Sequence, residues 1–400
     1  MPRTATGPPP AAEKPKSEKR RWAPRLWLGG RFVGWMRILV RNRFAVGWQY
    51  SYIALIDTII CASNSCLRLV QNLIYGGRLR RTQVTQQPLF IIGHWRSGTT
   101  MLHEMLSLDP RHTYPTTYQC FSPNHFLLTE GMAQRWLGFL MPERRPMDNM
   151  ATGWDRPQED EFALCNLGVP SPYWTIAFPN RPPQNPEYLD LEGISEQAMR
   201  RWKQTLLRFL QVVTFKNPGK RVILKSPTHT CRVKTLLEMF PDARFVHIVR
   251  DPYVIYPSTL NVWRSLYQTH GLQRPTFQGL EEHVLETFLR MHETLEKTRG
   301  LISPNRFFEV RYEDLVADPV SQMRTLYETL ELGEFDNVLP LLEEYLGGVG
   351  DYRVNKYELT DQERAEVQRR WKPYFERYGY DLQGGGPQDA HPPKSDVAAG

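Results

Sequence analysis

The sequence predicts an α/β fold: a three-layer sandwich in which helices flank a central parallel sheet, preceded by an N-terminal amphipathic helical extension. Three observations point there. Four short apolar runs bounded by turns or charges, Leu89–Gly93, Arg221–Lys225, Arg244–Val249 and Arg306–Arg311, read as strands buried on both faces. Between them lie stretches with apolar residues three and four apart, so strand and helix alternate as parallel pairing requires. The 400 residues are 41% hydrophobic and 23% charged, which supplies a full core and is too polar for a polytopic membrane protein.

The chain begins and ends in segments that cannot build a core. Residues 1–20, rich in Pro, Ala and Lys, and residues 384–400, rich in Gly, Pro and Asp, are expected to be disordered tails. Residues 21–80 form a basic, aromatic, helical extension. The first 48 residues hold eleven Lys and Arg against Glu13 and Glu18, a net of +9, whereas the whole chain carries +7. The body is therefore slightly acidic, which disfavours nucleic-acid binding. Trp22, Trp27, Phe32, Trp35, Phe44 and Trp48 interleave the basic residues, a composition suited to a bilayer headgroup layer. Residues 51–75 are apolar but interrupted by Asp57, Ser63, Asn64, Ser65 and Arg68, less clean than the roughly 20 apolar residues of a span. A helix lying on the membrane through residues 21–75 is favoured over one packed on the body and over a true span. The five cysteines are odd in number and scattered, without metal-ligand spacing, and read as reduced thiols in a cytoplasmic protein peripheral to a membrane.

Helical patterns follow at Thr99–Ser107, Ser195–Val213, Thr228–Phe240 and His283–Leu295, with another opening at Pro319. Thr360 and Glu363 make a capping box for a last helix from Asp361 to about Lys372, which Pro373 should end or kink. The Pro-dense region 142–193 breaks the strand–helix rhythm and is assigned as an insertion on the acceptor side, over the carboxyl ends of the strands.

Two motifs carry chemistry. Gly93–Leu102, GHWRSGTTML, runs from a strand directly into a helix, so backbone N–H groups and a positive helix end face one point. Gly98 lets an anion approach the backbone; Ser97, Thr99 and Thr100 offer hydroxyls, and Arg96 adds a fixed charge. Gly93, Gly98 and Thr100 match the spacing of a nucleotide-binding P-loop, but Thr99 stands where its Lys belongs, so the loop is P-loop-like while a generic triphosphate site is disfavoured. The second motif is Arg250–Ser258, RDPYVIYPS, where an Arg at a strand end and a Ser eight residues later can clamp a second phosphate; an Arg250 paired with Asp251 or Asp314 is the plainer alternative.

In this order the two motifs closely resemble the sulfotransferase family that uses 3′-phosphoadenosine 5′-phosphosulfate (PAPS), in particular its bacterial membrane-associated and protein-tyrosine-type members. The resemblance runs from about Leu89 to Tyr378 and implies a sulfotransferase domain over 85–380. It implies that the first loop holds the 5′-phosphosulfate, that Arg250 and Ser258 hold the 3′-phosphate, and that Tyr312 packs against adenine. Lys225, in LKSP, matches the lysine that contacts the transferring sulfuryl group. The family's C-terminal glycine-lysine segment has no obvious counterpart here; Arg353 or Lys356 in DYRVNKY is the candidate to stand in for it.

Such a transfer needs in-line positioning and preorganised positive charge, which Arg96 and Lys225 supply, and no metal is expected. A base must take the proton from a hydroxyl or amine acceptor that the sequence does not identify. The stretch HTYPTTYQCF, where tyrosine-type relatives carry a glutamate, has no carboxylate. Glu159 and Glu161 in DRPQEDEF, and His229, are the candidates; acids at a helix start are also commonly dipole caps. Two other readings fit less well: a small-molecule kinase, which lacks its loop lysine, and a catalytically idle membrane-bound protein, which would not need Arg96, Lys225 and Arg250 all present.

Overall fold

The structure, a computed structural model, describes residues 25–136, 153–349 and 359–381. Its centre is a five-stranded, all-parallel sheet: β1 (Leu89–Ile92), β2 (His112–Thr113), β3 (Arg221–Lys225), β4 (Arg244–Val249) and β5 (Phe307–Arg311), in the order β2-β3-β1-β4-β5. β1 is flanked by β3 and β4, with Phe90 opposite Leu224 and Phe245. Because side chains alternate along a strand, Phe90 and Ile92 enter one core while Leu89 and Ile91 enter another. Both faces are buried, which explains the unbroken apolar runs. β2 has only two residues, too few to carry a pattern.

The helices α3 (Thr99–Ser107), α7 (Glu196–Lys216), α9 (Pro252–His270), α10 (Leu280–Thr298) and α12 (Pro319–Thr329) cover the two faces. The stretch predicted as one helix over Thr228–Phe240 is divided. A 3-10 turn occupies Pro227–Cys231 and a helix resumes at Val233–Met239, because Thr228, His229 and Thr230 are buried polar residues whose partners lie elsewhere. Thr360 and Glu363 form the reciprocal capping box of Asp361–Arg370. The chain then breaks at Trp371 and restarts as Lys372–Tyr378, with Pro373 in the first turn where its missing N–H costs nothing.

The N-terminal extension is fastened to the body. A 3-10 turn, Leu26–Gly29, is anchored where Trp27 Nε1 donates to His270 O (3.0 Å) and Asn124 Nδ2 donates to Gly29 O (3.0 Å). After α1 (Phe32–Arg41) comes α2 (Ser51–Arg81), 31 residues and about 46 Å long at 1.5 Å per residue. By length and composition Trp48–Arg81 suffices to cross a membrane. Its burial is inverted, however. The inward face carries Asp57, Cys61, Asn64 and Gln71, while Tyr52, Leu55, Ile56, Ile59, Val70, Leu73 and Ile74 are exposed. Two polar residues of the inward face are fastenings: Asn64 Nδ2 donates to Leu28 O (2.7 Å) and Gly30 O (3.0 Å), and Gln71 accepts from Leu127 N (3.0 Å). Both terminal tails, residues 142–152 of the insertion, Arg353 and Lys356 lie outside the described residues.

Candidate active site

A parallel sheet points all its carboxyl ends the same way, and here that edge collects every motif. Gly93 follows β1, Lys225 ends β3, Arg250 follows β4 and Tyr312 follows β5. The first loop turns sharply. Gly98, at the mouth of α3, has φ 104°, and a methyl group there would lie 2.4 Å from the Tyr312 ring, so only glycine fits. Arg96 also adopts positive φ (71°), a strained conformation held by its surroundings. Its Nε donates to Ser258 Oγ (2.8 Å), and its carbonyl accepts from Arg250 Nη1 (3.1 Å). The Ser97 hydroxyl is committed to the loop, donating to His94 O (2.8 Å), and Thr99 is buried beside it.

Arg250 stacks on Tyr312, its guanidinium carbon 3.9 Å from the ring centroid. Neither Asp251 nor Asp314 is within ion-pair distance of it among the described residues; Asp251 instead caps α9 by accepting from Tyr253 N (2.8 Å). Arg96, Gly98, Arg250, Ser258 and Tyr312 thus form one positively charged cluster around a P-loop-like turn.

The three consecutive acids meet three different fates, each set by one segment, Lys225–Arg232. Glu159, at the N-cap of the short helix α6 (Asp160–Asn166), accepts from Lys225 Nζ at 2.9 Å. Lys225 is 2% exposed and also reaches Thr100 Oγ1 at 3.4 Å, while the Glu159 side chain remains 15% exposed. Asp160 is buried and accepts from Ser226 Oγ (2.9 Å), with His229 Nε2 at 2.8 Å. Burial pushes the Asp160 carboxyl up, but His229 and these hydrogen bonds hold it below the ordinary value. Glu161 is paired with Arg232 at 2.6 and 3.2 Å and accepts from Ser171 Oγ (2.6 Å) and Thr228 Oγ1 (3.1 Å). Glu161 and His229 are therefore engaged in buried pairs away from the loop. Glu159 is the carboxylate beside Lys225 and Thr100.

Two residues not picked out as site residues from the sequence complete the constellation. Tyr173 donates to Glu159 Oε2 (2.6 Å) and accepts from Trp95 Nε1 (2.9 Å), tying the first loop to the carboxylate. Burial, then the neighbouring Glu159, push the Tyr173 hydroxyl well above its ordinary value, so it stays a donor. Trp95 lay in plain view within the motif; Tyr173 belongs to a Pro-rich stretch with no periodic pattern to mark it.

Comparison with known proteins agrees with this architecture. A profile described as the sulfotransferase family matches residues 88–337. The chain is 51% identical over 365 residues, 91% of its length and 94% of theirs, to omega-hydroxy-beta-dihydromenaquinone-9 sulfotransferase Stf3 of Mycobacterium bovis and of Mycobacterium tuberculosis. It is 27% identical over 179 residues to protein-tyrosine sulfotransferase 1 of Danio rerio, covering 44% of this chain and 46% of that one. Among solved structures, sulfotransferase STF9 from Mycobacterium avium superposes with a TM-score of 0.63 at 20% identity, covering 89% of this chain and 98% of that one. The chain belongs to the sulfotransferase family, and the reaction it catalyses is sulfuryl transfer.

Proposed function

We propose that the sulfuryl donor is PAPS and that the acceptor is the hydroxyl of a menaquinone-type lipid, presented at a membrane surface. The observation that carries this reading is the junction at the strand ends, where Glu159 lies 2.9 Å from Lys225 beside Thr100 of the first loop. The residues fit the donor's two anionic ends. The loop amides, Thr99, Thr100 and Arg96 face the 5′-phosphosulfate; Ser97 supports the loop from behind. Arg250 and Ser258 receive the 3′-phosphate, and Tyr312 offers its ring to adenine. Lys225 neutralises charge that develops on the sulfuryl oxygens, a role preorganised by its burial. Glu159 takes the acceptor's proton as the acceptor oxygen bonds to sulfur and the bond from sulfur to the bridging phosphate oxygen breaks, releasing 3′-phosphoadenosine 5′-phosphate. Tyr173 positions the carboxylate without touching the reacting atoms.

The acceptor class rests on the 51% identity to a menaquinone sulfotransferase and on the exposed apolar face of α2. In this reading residues 21–80 are the membrane-associating extension, residues 85–380 the catalytic domain, and 142–193 its acceptor side. With one face of α2 fastened to the body, the helix lies along the bilayer. The cysteines among the described residues are free thiols, which supports a cytoplasmic location.

Calorimetric titration with 3′-phosphoadenosine 5′-phosphate, ATP and 5′-AMP tests the donor. Wild type should select the 3′-phosphorylated nucleotide, and Arg250→Ala should lose about 3 kcal/mol, on the order of a hundredfold, for that ligand and little for 5′-AMP. Equal binding of ATP would overturn the assignment of PAPS. Sulfation of an ω-hydroxylated menaquinone, but not of a short phenol, is the corresponding expectation for the acceptor.

A further inference from the structure

At the N-terminal end of α2, a cavity of about 310 Å³ that shares no residue with the strand-end cluster is lined by Arg25, Gln49, Tyr50, Tyr52, Ile53 and Arg274. None of the six is acidic. Arg25 is oriented by donating Nη1 to Gly271 O (2.9 Å) and lies 5.9 Å from the centroid of the Tyr50 ring. Arg274 is exposed, and its side chain has no hydrogen-bond or ion-pair partner among the described residues. Two guanidinium groups therefore share a concave surface with two phenols.

The cavity's position gives it a meaning. Tyr52 lines it and also begins the exposed apolar stripe that continues through Leu55, Ile56 and Ile59. Trp48, four residues earlier, is 88% exposed. A polar, cationic concavity at the edge of an apolar strip, with Trp and Tyr alongside, matches the boundary between the headgroups and acyl chains of a bilayer. Guanidinium is suited to bidentate bonding with a phosphodiester, the tyrosine hydroxyls can donate to its remaining oxygens, and the stripe can take the attached chains.

We infer that this cavity seats the phosphate of an anionic phospholipid and so sets how the enzyme sits on the bilayer. The inference rests on the membrane-surface reading above, which can hold without it. The occupant is a lipid in a surface, because the apolar stripe adjoining the cavity has no use for a free phosphate ester.

The test is flotation of the full-length protein with vesicles of phosphatidylcholine alone and with one-third phosphatidylglycerol, for wild type, Arg274→Glu, Arg274→Lys and, as a control at the far end of α2, Arg81→Glu. Arg274 and Arg81 are both exposed, so thermal midpoints should be unchanged. Near an anionic surface one basic residue contributes about fivefold in affinity, so reversing a diffuse charge costs about 25-fold anywhere on the face. A built site predicts more. Arg274→Glu should lose well over 25-fold on anionic vesicles and exceed Arg81→Glu, and Arg274→Lys should lose several-fold although its charge is kept. Equal losses for Arg274→Glu and Arg81→Glu, with Arg274→Lys at the wild-type level, would reduce the cavity to diffuse charge and overturn the inference. Wild-type binding indifferent to phosphatidylglycerol would overturn it while leaving the membrane reading intact, and binding to neither vesicle would remove that reading as well. Tight binding of soluble glycerol 3-phosphate, abolished by Arg274→Glu, would make the cavity a free-phosphate site and overturn the lipid assignment.

Discussion

Glu159→Gln separates a base from a structural carboxylate. The amide keeps the size of the side chain and its reach to Tyr173, but it removes the negative charge 2.9 Å from Lys225 Nζ. Lys225 is 2% exposed, so it is left as a buried cation without its counter-charge. Removing one partner of such a pair costs about 3 kcal/mol, here at the lower end because Glu159 is itself partly exposed. An anionic donor relieves that cost when it binds, so the variant should hold 3′-phosphoadenosine 5′-phosphate at least as tightly as wild type, by up to roughly a hundredfold at 1.36 kcal/mol per decade. Turnover should move the other way. Losing a general base lowers the rate by about a hundredfold to ten-thousandfold. The assay pairs calorimetry with single-turnover sulfation at saturating donor, with Lys225→Met, in which both affinity and rate should fall, alongside. Weakened nucleotide binding in Glu159→Gln, or turnover within tenfold of wild type, would refute the reasoning and leave Glu159 a structural counter-charge to Lys225.

Three other outcomes are expected. Gly98→Ala forces a side chain into φ 104° with its methyl 2.4 Å from Tyr312, and should cost at least about 2 kcal/mol of stability and most of the nucleotide affinity, read by urea denaturation and calorimetry. Glu161→Gln strips the buried Arg232 of its partner and should destabilise by about 3–5 kcal/mol, while the protein that remains folded keeps turnover within a few-fold of wild type; a selective loss of turnover would make Glu161 the base. Burial pushes His94 down to about 3 and His125 and His270 down to about 4, from an ordinary 6.5, while burial, opposed by Arg25, pushes Asp57 up to about 7. Between pH 6.5 and 4 the unfolded chain gains three histidine protons that the folded chain refuses, whereas folded Asp57 holds one that the unfolded chain releases. The histidine contribution is full above pH 6.5 and lost on acidification; that of Asp57 is lost as pH rises through 7. For these four groups the net uptake approaches two protons only near pH 5, where stability falls by about 2.5 kcal/mol per pH unit against about 0.3 kcal/mol near pH 7, and His112, His283 and His292, also pushed down by burial, act in the same direction. Urea midpoints from pH 7 to 5 check this, and a flat or rising profile would contradict it.

Most of the sheet was legible because a strand buried on both faces has to be continuously apolar, and such runs are short and bounded. The predicted edges of β3 and β4 coincide with the observed ones, and those of β1 and β5 differ by one residue. The glycine-rich turn was legible for a similar reason: a positive φ beside an aromatic ring admits one residue type. Two-residue β2 and the divided Thr228–Phe240 stretch were not, since in both the local pattern is overruled by partners far along the chain.

By itself the sequence determined four of the five strands, the loop chemistry and the presence of an apolar helix with polar interruptions, because these follow from local residue types and periodicity. Only the tertiary structure decided which way that helix faces and which of Glu159, Asp160 and Glu161 meets Lys225 at the end of β3. Helical periodicity sets neighbouring residues about 100° apart but leaves the rotation of the whole helix open. That rotation is decided by what the helix packs against: Leu28 and Gly30 for Asn64 on α2, and Lys225, His229 and Arg232 for the three acids, more than sixty residues away in the chain.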